Sequence, residues 1–469
     1  MIQNKWIELS ISSIAVAGVF SILIVILRTP IWAGLFDESV FKTALIIHVD
    51  LSVLFWMVTF MMMIMSGGIT EKWEYIIGLL QNFLFLSLVL ICSSIFFGEK
   101  KPYLNNYVPI LHNIFFIVAI GIFFSCFTII SFISSISDKS NLKSIGILGV
   151  ATSISFAISE YKLTLLDYQI DTHHFYELLF WAPGHILQFL FVDGLIVTWY
   201  YFFSGANKYI PLSLILWLNT LLATPVLIPQ LYLAIDSEYY ISFFTNHMRI
   251  FGGISFLLAM TSMIIAYYEY YYLNYSQIYS TYFNISTLPS HFKSKFNSKS
   301  IDTTNNSSWQ VREDISITKL KSYSFIFSLL LFLVGGIIGL LINSINLVVP
   351  AHYHGSIVGI TIAFMGYIYL KTNQLYCKIN FRLAIWQIQI YSFGQIIHIL
   401  ALAYSGGYGA LRKSPGAILP ASAKISMGIM GLGGLIAIAG GLLFVYICAR
   451  SIVTYKLKIN DTNNKRRSD

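Results

Sequence analysis

Charge is what this chain has least of. Only 11% of its 469 residues are Asp, Glu, Lys or Arg and 57% are hydrophobic, whereas a soluble domain carries roughly 25% charged residues. That balance excludes an ordinary soluble domain and marks a polytopic membrane protein. Cysteine is scarce too. Cys92, Cys126, Cys377 and Cys448 are scattered in or near apolar stretches, and none forms a CxxC pair. The pattern argues against a disulfide frame, a zinc knuckle and a covalently attached c-type haem. A cleavable signal peptide is also missing. The first apolar run, Ser10–Leu27, has no small-residue cleavage site and ends in Arg28-Thr29-Pro30, so it reads as a first span. No internal repeat relates the two halves. The net charge of +8 needs no nucleic-acid partner, because the membrane accounts for it.

Hydropathy gives twelve spans and an all-α membrane fold. The predicted boundaries are 10–28, 41–66, 76–97, 107–135, 143–160, 174–203, 211–234, 240–272, 321–343, 350–370, 383–405 and 423–448. Residues 1–455 read as a single integral membrane domain. The one long connection, 274–318, is rich in Ser, Asn, Thr and Lys and is expected to be a mobile loop. The tail 456–469 is polar and basic and is expected to be loose. Twelve spans put both ends on one side. Most of the 29 Lys and Arg fall on that side. The excess of cations in cytoplasmic loops then places both termini in the cytoplasm.

The stretch that organises the rest is Val348–Tyr369, VVPAHYHGSIVGITIAFMGYIY. Pro350 suits a helix start, since its missing N–H is one the first turn leaves unpaired. About twenty mostly apolar residues then cross the bilayer. His352 and His354 sit one residue apart on that helix. At i and i+2 they point roughly 200° apart, so they serve two groups, one on each flank. Ionisable side chains inside a membrane are functional candidates by default. His48, His185 and His247 fall in spans two, six and eight, at a similar depth in the outer half. Satisfied core histidines have no reason to favour one leaflet, whereas a set of metal sites requires it. Neutral imidazole suits iron and copper. Five histidines divide into two for a six-coordinate haem, one for a second haem and two for a nearby metal. Of the rest, His112 and His398 read as core histidines, His173 and His174 as interfacial, and His291 as solvated.

This constellation resembles subunit I of the haem-copper oxygen reductase superfamily, the cytochrome c oxidase type, with some features closer to the cbb-type oxidase and nitric oxide reductase branch. The motifs are IIHVDLSVLFW in span two, FWAPGHILQFLF in span six, FFTNHMRIFGG before span eight, VVPAHYHGSIVG in span ten and SGGYGALRKSPG after span eleven. The resemblance implies two haems and one copper. His48 and His354 would clasp the low-spin haem and His352 the high-spin haem. His185 and His247 would hold the second metal, and Arg412 and Lys413 the haem propionates. It implies a catalytic subunit of a terminal respiratory oxidase in a bacterial inner membrane. Electrons would pass from the low-spin to the high-spin haem and reduce O2 to water, with or without proton translocation. Electron entry would belong to other oxidase subunits and a donor such as cytochrome c.

Two departures matter. Asn246 stands where a second adjacent histidine is usual, and an amide oxygen is a poorer copper ligand than imidazole. Four residues after His185, where the family often has a tyrosine or a glutamate, stands Phe189. Gln188, one turn from His185, is a candidate to hydrogen-bond a ligand, or a packed amide, and Tyr232 in span seven is the candidate substitute for the tyrosine. No lysine lies within span eight. Asp50, Glu160, Asp193, Thr261 and Asn343 are the polar residues available inside spans; Asp50 is a candidate for a hydrogen bond near the low-spin haem and Asp193 for a proton relay. A nitric oxide reductase on the same scaffold is one alternative. A secondary transporter is another, although transporters bind near the midplane between repeats.

Overall fold

The computed structural model describes residues 2–28, 37–68, 70–282, 308–342, 346–407 and 421–468. It contains twelve helices long and apolar enough to cross a membrane: Ile2–Leu27, Glu38–Ser66, Glu71–Ser93, Ile114–Ser135, Ser140–Thr164, Thr172–Phe202, Leu212–Tyr232, Glu238–Tyr270, Ile315–Leu340, Val348–Leu375, Phe381–Gly407 and Ile425–Thr462. They are called spans one to twelve. The all-α expectation holds. One short hairpin, strands Lys101–Tyr103 and Ile110–His112, precedes span four.

Burial sorts the spans. In span six 83% of the apolar stretch is buried, in span two 72% and in span ten 61%, against 33 to 50% in the other nine. These three inner rods carry His48, His185, His352 and His354. Inter-helix attraction in lipid comes from close packing and polar contacts rather than from water exclusion. Asp193 of span six and Asn219 of span seven supply one such contact, both fully buried. The Asn219 amide donates to Asp193 Oδ1 at 2.8 Å and to the Phe189 carbonyl at 2.9 Å. Asn219→Leu strips both acceptors of their donor. It is expected to destabilise the protein by about 1–3 kcal/mol, read as a lower thermal midpoint in detergent.

Three spans are interrupted where the candidate residues lie. Span two passes from α-helix into a π turn, Asp50–Phe55, two residues after His48. Such π turns recur at functional sites. Span seven tightens at Thr224–Val226, beside Pro225 and Pro229, which lack the N–H a helix interior needs. Span eight breaks at Gly252-Gly253, between helices Glu238–Phe251 and Ile254–Tyr282.

Several expectations are corrected. Span four does not begin at 107. Residues 107–113 complete the hairpin, and Asn113 caps the helix by accepting from the Phe115 and Phe116 N–H groups. The apolar run VPIL had joined the hairpin to the helix in the hydropathy reading. The last helix runs from Ala421 to Ser468, so the polar tail continues span twelve as helix. Of the long connection, 283–307 lies outside the described residues, and helices Ile254–Tyr282 and Ser308–Leu340 enclose it. Both termini meet at one face. Lys456 pairs with Glu8 at 2.9 Å, and the Tyr376 hydroxyl is bonded to the Asn4 carbonyl at 3.0 Å and Glu8 Oε1 at 3.1 Å.

Candidate functional site

A cavity of about 2220 Å³ opens among the inner rods. A pocket for one small ligand holds roughly 300–1,000 Å³, so there is room for more than one large planar group. His48, His185, His352, His354 and His398 all line it.

Each of these five rings has the same arrangement at Nδ1. His48 Nδ1 meets the Ala17 carbonyl at 2.9 Å, His185 that of Trp181 at 2.7 Å, and His352 that of Gly335 at 2.7 Å. His354 Nδ1 meets the Pro350 carbonyl at 2.8 Å and His398 that of Met430 at 2.9 Å. A carbonyl only accepts, so Nδ1 carries the proton and Nε2 the lone pair. Metal-bound histidines are oriented in this way, by an outer partner on the other ring nitrogen. The donor chemistry and the space fit iron held by imidazole Nε2.

The i, i+2 argument is met in span ten. His352 leaves one flank for span nine, where it lies against Gly335 and Gly339. A Cβ on Gly339 would come within 2.5 Å of the ring, so a residue without a side chain is required there. His354 leaves the other flank for span eleven, and its ring centroid lies 5.1 Å from that of His398.

Not every expected residue arrives. His247 is not on the cavity wall. Its Nε2 donates to the Leu222 carbonyl at 3.0 Å, and its ring sits among Phe189, Phe243 and Phe251. Asn246 is exposed and does not line the cavity. Among the described residues no group of three His, Cys, Asp or Glu could share a metal ion. The copper expected from the resemblance therefore lacks a converged donor set. Tyr232 is 83% exposed and away from the cavity, which removes it as the substitute tyrosine. His112 is exposed rather than core, because it ends a surface strand and not a membrane helix. Glu160 and Thr261 are exposed on their helices. Asp50 is buried with neither carboxyl oxygen hydrogen-bonded among the described residues. Asp193 is held by Asn219. Arg412, Lys413, Asn343 and His291 lie outside the described residues.

Three residues escaped the sequence reading. His398, expected in the core or in support of the loop after span eleven, has the depth and the Nδ1–H contact of the others. Its depth alone was a usable signal. Arg249, in the last turn of helix Glu238–Phe251, lines the cavity. A guanidinium this far into a span needs an anionic partner. Tyr107, from the hairpin loop, reaches His185: its hydroxyl lies 2.9 Å from Nδ1 and 3.1 Å from Nε2. Burial raises the Tyr107 pKa well above the ordinary tyrosine value and keeps the O–H in place.

No family model matches the chain. An uncharacterized protein of Rickettsia prowazekii (strain Madrid E) is 33% identical over 516 residues, covering 97% of this chain and 96% of that protein. An uncharacterized protein of Aquifex aeolicus (strain VF5) is 30% identical over 204 residues, 41% of this chain and 51% of that protein. Among solved structures, one described as a heme-copper terminal oxidase dimer matches with a TM-score of 0.66, covering 96% of this chain and 84% of that chain at 14% identity. That likeness concerns the fold.

Proposed function

The chain belongs to one family with the Rickettsia prowazekii protein and shares the fold of a heme-copper terminal oxidase, and from that premise we propose that it is the catalytic subunit of a haem-dependent oxidase in a cell membrane. The carrying observation is the cavity with five histidine rings on its wall, each ring fixed through Nδ1–H on a backbone carbonyl. In this reading His48 and His354 hold a low-spin haem and His352 holds a second, high-spin haem. When bound, the haems supply the electron relay and the iron at which a small gas is reduced. The protein's own part is orientation and exclusion of water. The carbonyls of Ala17, Gly335 and Pro350 fix the tautomers, and the largely apolar cavity wall limits hydration. Arg249, with Arg412 and Lys413, provides cations for the carboxylate arms. Electron entry belongs to a partner subunit and a donor such as cytochrome c, and both termini face the cytoplasm.

Oxygen is the proposed substrate. Nitric oxide is the second reading, favoured by Asn246 and by the retreat of His247 from the cavity. Turnover of the purified complex separates the two. Rapid oxygen uptake with no nitric oxide consumption supports the first reading, and the reverse supports the second. A transporter shows neither, and no haem bands.

The seat of His352 supplies a further expectation. Gly339→Val places a branched side chain where the His352 ring now packs. The carbon monoxide band of the reduced protein should then fall in amplitude while the low-spin band persists. Equal loss of both bands would contradict the assignment of His352 to its own haem.

A further inference from the structure

A second cavity, of about 630 Å³, opens at the end of the bundle that carries the termini. Gly67 of span two, Tyr201 of span six and Lys371 of span ten line it, so it lies between the ends of the three inner rods, with Gln3 of span one beside them. Its size suits one small ligand.

The polar part of its wall is rich in donors. Lys371 is half-buried, and its Nζ stands over the rings of Tyr201 and Tyr367, 4.9 and 5.5 Å from their centroids. The two centroids are 4.7 Å apart, so both ring faces hold the ammonium in place. Lys139, just before span five, lies across the end of span two, where a Cβ on Gly68 would come within 2.6 Å of its Nζ. Neither lysine belongs to an ion pair among the described residues. No Asp or Glu lines the cavity. The Tyr201 hydroxyl oxygen accepts from Gln374 Nε2 at 3.4 Å. Neither phenol O–H has an acceptor among the described residues. The first turn of span five, at Ser140, Asn141 and Leu142, lines the same space without a side-chain cap, and helix starts of this kind add positive potential.

An excess of cations at one face follows from membrane topology. A lysine that serves only that purpose extends its ammonium into water. Lys371 instead folds onto two aromatic rings at the wall of a cavity. Two ammonium groups and two phenol O–H groups without acceptors match a ligand made of acceptors. Phosphate is such a group, and lysine binds it as a compact point charge.

We propose that this cavity binds a small phosphate-bearing anion between Lys139 and Lys371. The site is separate from the haem reading and uses none of its residues. Its place among the inner rods favours a soluble anion over the headgroup of a surrounding lipid.

The test uses the purified protein in phosphatidylcholine nanodiscs, with inorganic pyrophosphate as the probe and calorimetry as the readout. Binding should saturate. Lys371→Gln and Lys139→Gln should each weaken it roughly tenfold, the worth of one hydrogen bond to a charged group. Tyr367→Phe keeps the ring under Lys371, removes one donor and should weaken binding in the same direction. Lys72→Gln removes a cation that lies over Trp73, outside the cavity, and should leave binding unchanged. Native mass spectrometry of the same protein separates the two sources of phosphate. A retained anionic phospholipid that Lys371→Gln releases assigns the site to a headgroup, and pyrophosphate binding without one assigns it to a soluble anion. No saturable binding, binding that both cavity lysine variants leave unchanged, or equal weakening by Lys72→Gln overturns the proposal and leaves the haem reading standing.

Discussion

His352→Ala abolishes carbon monoxide binding and lowers turnover by more than about 100-fold, beyond the 10–100-fold that outer-shell changes cost a metal site. The low-spin absorption band survives. The reason is geometric. His352 faces span nine, where its Nδ1 meets the Gly335 carbonyl at 2.7 Å and its ring packs at Gly339. His354 leaves the opposite flank of span ten for span eleven. Optical difference spectra with and without carbon monoxide check this on one sample. Loss of the low-spin band as well would show that the two rings do not serve separate groups.

His354→Ala and His48→Ala give the complementary result. The low-spin band disappears, the carbon monoxide band remains, and turnover again falls more than about 100-fold, because both variants lose a ligand rather than an outer partner. The two variants should match each other more closely than either matches His352→Ala. His48 is anchored to span one through Ala17 and His354 within its own helix through Pro350, so neither substitution disturbs the other's anchor. A His48→Ala protein with an intact low-spin spectrum would point to His398 as the partner of His354. Their rings are already neighbours.

Much of this arrangement could be read from the chain because it is one-dimensional. Twelve apolar runs give twelve spans, and depth follows from counting residues along each run. The spacing of His352 and His354 fixes opposite flanks whatever surrounds them. The failures share a different cause. Tyr107 is one of thirty tyrosines, and its meeting with His185 is made by a folded loop with no periodic signal. Pro109 and Asn113 bracketed that loop, but the apolar residues between them masked the boundary. The retreat of His247 depends on the break at Gly252-Gly253 and on Leu222, a neighbour distant in sequence. His398 was within reach, since its depth matches the others. Arg249 carries no spacing or motif signal of its own, and only the cavity shows where it faces.

The central claim is that span ten stands between two haem sites, one on each flank. Haem content and carbon monoxide reactivity of the purified chain test it most directly. The account predicts two haems per chain, of which carbon monoxide binds one and leaves the other six-coordinate. A single haem, two carbon monoxide-reactive haems, or none at all would contradict it.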